Sequence, residues 1–104
     1  MEIKYFMKIS IDKKLIKEFC IRHHIQRLAL FGSVLREDFT DYSDVDVLVK
    51  FEKGHTPGFF RLFDIEEELS GIIGRKVDLR TKEDLSRHFR NQVIRTMAIQ
   101  YEKR

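Results

Sequence analysis

Apolar residues follow two rhythms along this chain, one helical and one extended. At Ile11, Leu15, Ile16, Phe19 and Cys20 they recur every three or four positions opposite a lysine-rich face. That spacing predicts a helix over residues 10–24, with Ser10 or Asp12 as its cap. Residues 27–31 (RLALF) then form a short unbroken apolar run, as expected of an interior strand covered on both faces, and the run stops at Gly32-Ser33. Residues 34–37 have room for one turn of helix, and the polar residues 38–43 read as a loop. The β-branched stretch 45–51 (VDVLVKF) is the best strand in the chain. Residues 52–58 (EKGHTPG) are the clearest loop. Helical spacing returns through Phe59, Leu62, Phe63, Leu69, Ile72 and Ile73, with Gly74 where a left-handed C-cap belongs. Residues 76–80 (KVDLR) alternate as a short strand. Thr81 and Asp84 have the spacing of a capping box, and the helix beyond them runs through Leu85, Phe89, Val93, Ile94 and Met97, broken near Ser86. The last segment, 98–102 (AIQYE), reads as a strand.

The predicted order is α-β-(short α)-β-α-β-α-β. It describes an α/β fold, a single domain with one mixed β-sheet of about four strands packed with helices. Residues 1–8 are expected to be an N-terminal extension outside a domain spanning 9–104.

Composition narrows the classes. At 104 residues the chain has enough length for a single modest core. No apolar run approaches the ~20 residues of a membrane span, and the first residues lack the apolar centre of a signal peptide. The lone Cys20 excludes an internal disulfide and fits a reducing cytoplasm; it reads as a small buried hydrophobe. The four histidines show no metal-ligand spacing and read as surface or helix-end residues.

Charge adds more. The formal net charge of +3 conceals an uneven distribution. Residues 1–30 and 80–104 each carry seven Lys/Arg against three Asp/Glu, whereas residues 31–79 carry six against eleven. A pI of about 9.1 is by itself weak support for nucleic-acid binding, and none is expected. An acidic centre between basic ends better suits a cation in the middle with a polyanion or acidic surface around it.

The acidic centre has a pattern. Asp44 and Asp46 stand at i and i+2 as the best strand begins, so they point to one face, a costly arrangement unless positive charge lies between them. Asp78 lies between Val77 and Leu79 on a strand that can neighbour theirs. Three converging carboxylates suit Mg²⁺, which takes oxygen ligands and keeps waters and substrate phosphates. Gly32 permits close backbone approach, and the Ser33 hydroxyl with local amides can hold a terminal phosphate. Arg36, one helical turn on, is expected to reach the same phosphates. Taken singly, each feature has an ordinary explanation: a turn, an Asx-turn, an Asp78 ion pair with Arg75 or Arg80, a surface arginine. Their joint order is far more specific.

In that order the segments LFGSVLR, YSDVDVLVKFE and IIGRKVDLRTKEDL resemble the minimal nucleotidyltransferase (MNT) family of the polymerase-beta nucleotidyltransferase superfamily, from about Ile9 to Tyr101. The resemblance implies that Gly32 and Ser33 hold a nucleoside triphosphate and that Asp44 and Asp46 bind Mg²⁺. It gives Asp78 the role of completing the metal site and helping to activate the attacking hydroxyl, and it matches Arg36 to a common basic position. Glu37 departs from the pattern, since many members have glycine there. Many members are encoded beside HEPN-domain proteins as the antitoxin of a toxin–antitoxin pair. For those the resemblance implies transfer of AMP from ATP to a tyrosine of the HEPN ribonuclease. Larger members of the superfamily bind the acceptor with a second domain, for which 104 residues leave no room. The acceptor is then expected on another protein, or the site is completed by homo- or hetero-oligomerisation. Arg87, Arg90 and Arg95 of the last helix and the apolar Phe59, Phe60 and Phe63 are candidates for such an interface. Two rivals stay open: an antitoxin that neutralises by binding alone, and a nucleotidyltransferase acting on RNA ends or a small molecule.

Overall fold

Where apolar residues alternate, the chain pairs into two sheets. The computed structural model describes residues 3–6 and 9–104. Strands β1 (Ile3–Phe6) and β2 (Ile9–Asp12) form an antiparallel ribbon, with Ile3 opposite Asp12 and Phe6 opposite Ile9. Strands β3 (Ile25–Phe31), β4 (Val45–Phe51), β5 (Val77–Arg80) and β6 (Ala98–Glu102) form the main sheet in the order β5-β4-β3-β6. β4 and β5 are parallel and the other neighbours antiparallel, so the sheet is mixed as expected. The parallel pair needs a crossover, and helix α2 (Phe59–Ile73) supplies it.

The N-terminal segment corrects the sequence reading. Residues 10–12, expected in the first helix, belong to β2, and α1 runs Lys13–Arg22. Ile11 lies four residues before Leu15 and two after Ile9, so it satisfies both rhythms; pairing with β1 decides for the strand. Asp12 is the cap, its Oδ1 accepting from the Lys14 and Leu15 N–H groups at 3.1 and 3.2 Å. Of the expected N-terminal extension, Ile3–Phe6 is paired strand, while residues 1, 2, 7 and 8 lie outside the described residues.

Strand alternation sorts the sheet into two unlike faces. Val45, Val47 and Val49 of β4, with Val77 and Leu79 of β5, enter the large core under α1 and α2, against Ile16, Phe19, Ile65 and Leu69. The intervening residues face the other way, where α3 (Arg87–Thr96) covers only a small cluster of Phe31, Leu48 and Val93. Asp46 and Asp78 alternate with core residues and therefore lie on this thinly covered face.

The ends of the elements follow their residues. Gly74 closes α2 in the left-handed conformation, φ 79°, with its N–H on the Ser70 carbonyl at 2.8 Å. The Thr81–Asp84 capping box forms around a short 3₁₀ turn, and α3 starts afresh with Ser86 as its cap, placing the break where the sequence puts it. His23, expected at the surface or a helix end, is the C-cap of α1. Its ring packs on Phe19 and bonds Glu68 of α2 at 2.9 Å, so it is largely buried. Arg22 reaches the same glutamate. Among the described residues no helix is long and apolar enough to cross a membrane.

Candidate active site

The site is assembled where β3 ends beside the starts of β4 and β5. Phe31, the last residue of β3, pairs with Asp46 of β4, so the next residue passes over the Asp46 carboxylate. That residue is Gly32, with φ +77°. A Cβ built on it would stand 2.3 Å from Asp46 Oδ2 and 3.2 Å from Cγ. Only glycine meets both demands, the left-handed backbone and the missing side chain. The chain then makes a 3₁₀ turn, Gly32–Leu35, anchored by buried Val34 and closed by the Arg36 N–H on the Ser33 carbonyl at 2.9 Å. Ser33 lies in this turn beside Gly32, as the sequence pattern requires.

On the other side of Asp46 is Asp78, its direct partner in the parallel β4–β5 register. Asp44 lies in the loop residue one before β4. The electrostatics record the crowding. Burial first, then the charges of Asp78 and Asp44, push the Asp46 carboxyl above the usual aspartate range, with Arg80 and Arg36 partly offsetting them. Two side chains hold the frame from below. The edge N–H groups of β5 bond to α2: Val77 to Ser70 Oγ at 3.0 Å and Leu79 to Glu66 Oε2 at 2.8 Å. This satisfies an edge strand and fixes the height of Asp78 between those two residues.

The sequence left Arg75 and Arg80 as alternative partners for Asp78. The partner is Arg80, which grips both carboxylate oxygens, Nε to Oδ1 at 3.0 Å and Nη2 to Oδ2 at 3.2 Å. Arg75 instead clamps the loop leading into Asp44. Its Nη2 donates to the carbonyls of Thr40 and Ser43 at 2.9 and 2.7 Å, and its guanidinium lies over the buried Phe39 ring. Sequence reasoning did not find this role, because nothing in residue spacing ties residue 75 to residues 39–43.

Arg36, the third predicted phosphate ligand, acts on the Asp46 carboxyl by its charge but has its guanidinium engaged by another carboxylate. The 3₁₀ turn ends at Leu35, Arg36 is extended, and its guanidinium bonds the exposed Asp38 at 3.1 and 3.4 Å. An α-helical turn would have folded it back beside Ser33; the tighter, shorter turn releases it.

The donor set fits a hard divalent cation. It is all oxygen, and a positive charge between the acids would relieve the repulsion that raises Asp46. Among the described residues no three acidic, histidine or cysteine side chains are drawn into a closed cage. Asp78 lies beside Asp46 and its carboxylate is also gripped by Arg80. Asp46, Asp78 and Arg80 line an open cleft of about 310 Å³ floored by Phe31 and walled by Phe89. A separate cleft of about 270 Å³, between Leu48, Lys50, Arg27 and Ile94, contains none of the three acids.

Known proteins are similar to this chain in sequence and fold. The family model described as the nucleotidyltransferase domain matches residues 12–101. The protein adenylyltransferase MntA of Thermococcus cleftensis is 34% identical over 90 residues, covering 86% of each chain. A candidate protein adenylyltransferase of Methanocaldococcus jannaschii is 40% identical over 70 residues, covering 67% of this chain and 66% of that one. A solved structure of a candidate minimal nucleotidyltransferase is 33% identical, with TM-score 0.67 over 82% of this chain and 85% of that one. The solved complex of a tri-AMPylated Shewanella oneidensis HEPN toxin with an MNT antitoxin is similar in fold at 20% identity, with TM-score 0.63 over 88% and 70% of the two chains. A glycine turn laid over paired strand carboxylates is the signature of a nucleotidyl-transferring enzyme, and this chain belongs to the nucleotidyltransferase domain family. Within it the resemblance is to the minimal nucleotidyltransferases, single small α/β domains with one mixed four-stranded sheet.

Proposed function

We propose that this protein transfers the AMP moiety of ATP to a tyrosine hydroxyl of a HEPN-type partner and acts as that partner's antitoxin in the cytoplasm. The observation that carries the reading is the register: Asp46 and Asp78 are direct neighbours on two parallel strands, with Gly32 pressed against Asp46. The similar proteins support the acceptor class, since one is named a protein adenylyltransferase and another is solved with an AMPylated HEPN toxin.

Each residue has a task in this reading. Gly32 and Ser33 seat the triphosphate, the glycine by letting phosphate oxygens approach the backbone. Asp44 and Asp46, with Asp78, would hold Mg²⁺, which neutralises phosphate charge when bound. Asp78 takes the proton of the attacking hydroxyl as its oxygen bonds to the α-phosphorus, and the bond to the bridging oxygen breaks to release diphosphate. To do so Asp78 must first be freed from Arg80, whose guanidinium is then available to phosphate oxygens of the same cleft. Arg36 is assigned to the phosphates as well, its charge already felt at Asp46 while Nε and Nη2 bond Asp38.

The test is transfer of label from α-³²P-ATP to a HEPN-type protein encoded beside this one. Wild type is expected to label it, and the variant carrying Asp44→Asn with Asp46→Asn is not. Label transfer surviving in the double variant would overturn the assignment. Neutralisation surviving without any transfer would establish the binding-only antitoxin, and labelled RNA in place of labelled protein would move the acceptor class.

A further inference from the structure

The start of α2 exposes three large aromatic residues, Phe59, Phe60 and Phe63, on the outside of the fold. Phe59 is 81% exposed, Phe60 84% and Phe63 54%, and the rings of Phe59 and Phe60 meet edge to face. Such a patch is unusual for a small soluble surface and marks an interaction site. Its position says which one. A cleft of about 330 Å³ runs from Phe59 and Phe63 to Asp78, and Asp78, Arg80 and Asp84 also line the cleft that contains Asp46. The two clefts therefore adjoin along Asp78, Arg80 and Asp84, with the aromatic patch at the outer end.

The sheet order separates the ends of these adjoining clefts. Gly32 and Ser33 follow β3 on the inner side of Asp46, whereas β5, which carries Asp78, is the edge strand beside α2. A nucleotide seated at Gly32-Ser33 reaches the acids from the β3 side. A second substrate must come to Asp78 from the free edge, past Arg80 and across Phe59 and Phe63. We infer that the aromatic start of α2 is the docking surface for the acceptor protein, and that it steers the acceptor hydroxyl along the β5 edge to Asp78. The inference rests on the protein-adenylylating reading given above. The occupant is an acceptor with an apolar surface flanking its tyrosine and a polar group to meet the exposed Arg61 that stands between Phe60 and Phe63 in the chain, since the three phenylalanines offer area for aromatic and aliphatic anchors.

The experiment compares F59S/F63S and the single variant Phe60→Glu with wild type, using the HEPN-type protein as acceptor. Both altered sites are exposed, so circular dichroism and Tm are expected to match wild type. The exposed Ile99→Ser on β6 serves as control. The docking surface predicts KM for the acceptor raised about tenfold or more in F59S/F63S and in Phe60→Glu, unchanged affinity for a fluorescent ATP analogue, and no change in Ile99→Ser. A photo-crosslinker at position 60 is expected to capture the acceptor. Unchanged KM in both aromatic variants, or an equal loss in Ile99→Ser, would overturn the inference while leaving the adenylyltransferase standing. If wild-type protein labels no acceptor, the failure lies in the proposed function and removes this inference with it.

Discussion

Gly32 and Asp46 define the site at the scale of single residues, each making sense only beside the other. Gly32→Ala imposes a left-handed conformation that costs an alanine about 1–2 kcal/mol and drives its methyl into the Asp46 carboxylate. The expected result is a Tm several degrees below wild type, measured by thermal melting, and at least a tenfold loss of transfer. Asp78→Asn should bind ATP normally and lose about 10²–10⁴-fold in turnover, the typical worth of a general base, measured as kcat with KM for ATP unchanged. Asp46 gives a pH signature. Its carboxyl titrates higher in the folded protein than in the unfolded chain, so between the two values the folded state holds the extra proton. In metal-free protein stability therefore falls as pH rises through that window and stays lowered above it. Asp46→Asn is expected to melt above wild type at neutral pH in EDTA, the gap closing below about pH 4. A gap that persisted in acid would mean that the charge is not its cause. Cys20 is the opposite kind of residue: burial pushes its thiol up to about 12, so it is inert while the fold is closed. Its labelling by a thiol reagent should track unfolding as denaturant is added.

At the scale of elements, the β4–α2–β5 unit does most to build the site. Ser70 and Glu66 reach from α2 to the outer N–H groups of β5 and so hold Asp78 in register with Asp46. Glu66→Ala leaves the Leu79 N–H without its charged acceptor, a loss of about 1.5–3 kcal/mol by the usual worth of such bonds. It should lower both Tm and kcat while leaving ATP affinity intact. An unchanged kcat would show that the register does not depend on this bond. These elements were legible in the sequence because their residues have one reading each: VDVLVKF can only be a strand, and Gly74 ends its helix where the apolar spacing stops. The first strands were not, because Ile11 serves two periods and the deciding partner, β1, lay in a segment read as an extension. Within the site, Gly32, Ser33 and the three aspartates were legible from order and spacing. The ion pair of Arg36 with Asp38 was not, since it depends on a 3₁₀ turn that ends at Leu35 and leaves Arg36 extended. The loop clamp by Arg75 was equally hidden, because it joins segments 32 to 35 residues apart.

The whole molecule divides its labour between the two faces of one sheet. The face under α1 and α2 carries nearly all the buried apolar residues and supplies stability. The face under α3 is thinly covered and carries Asp46 and Asp78 along an open cleft. The uneven charge along the chain has the same geography, an acidic middle that contains Asp44, Asp46 and Asp78 between basic ends. The central claim is that this open face moves a nucleotidyl group rather than a phosphate. Paired reactions with ATP labelled at the α- or the γ-phosphorus, using a HEPN-type acceptor, test it most directly. Adenylyl transfer leaves α-label covalently attached to the acceptor and releases γ-label as diphosphate. Attachment of γ-label, or of neither label, would contradict it.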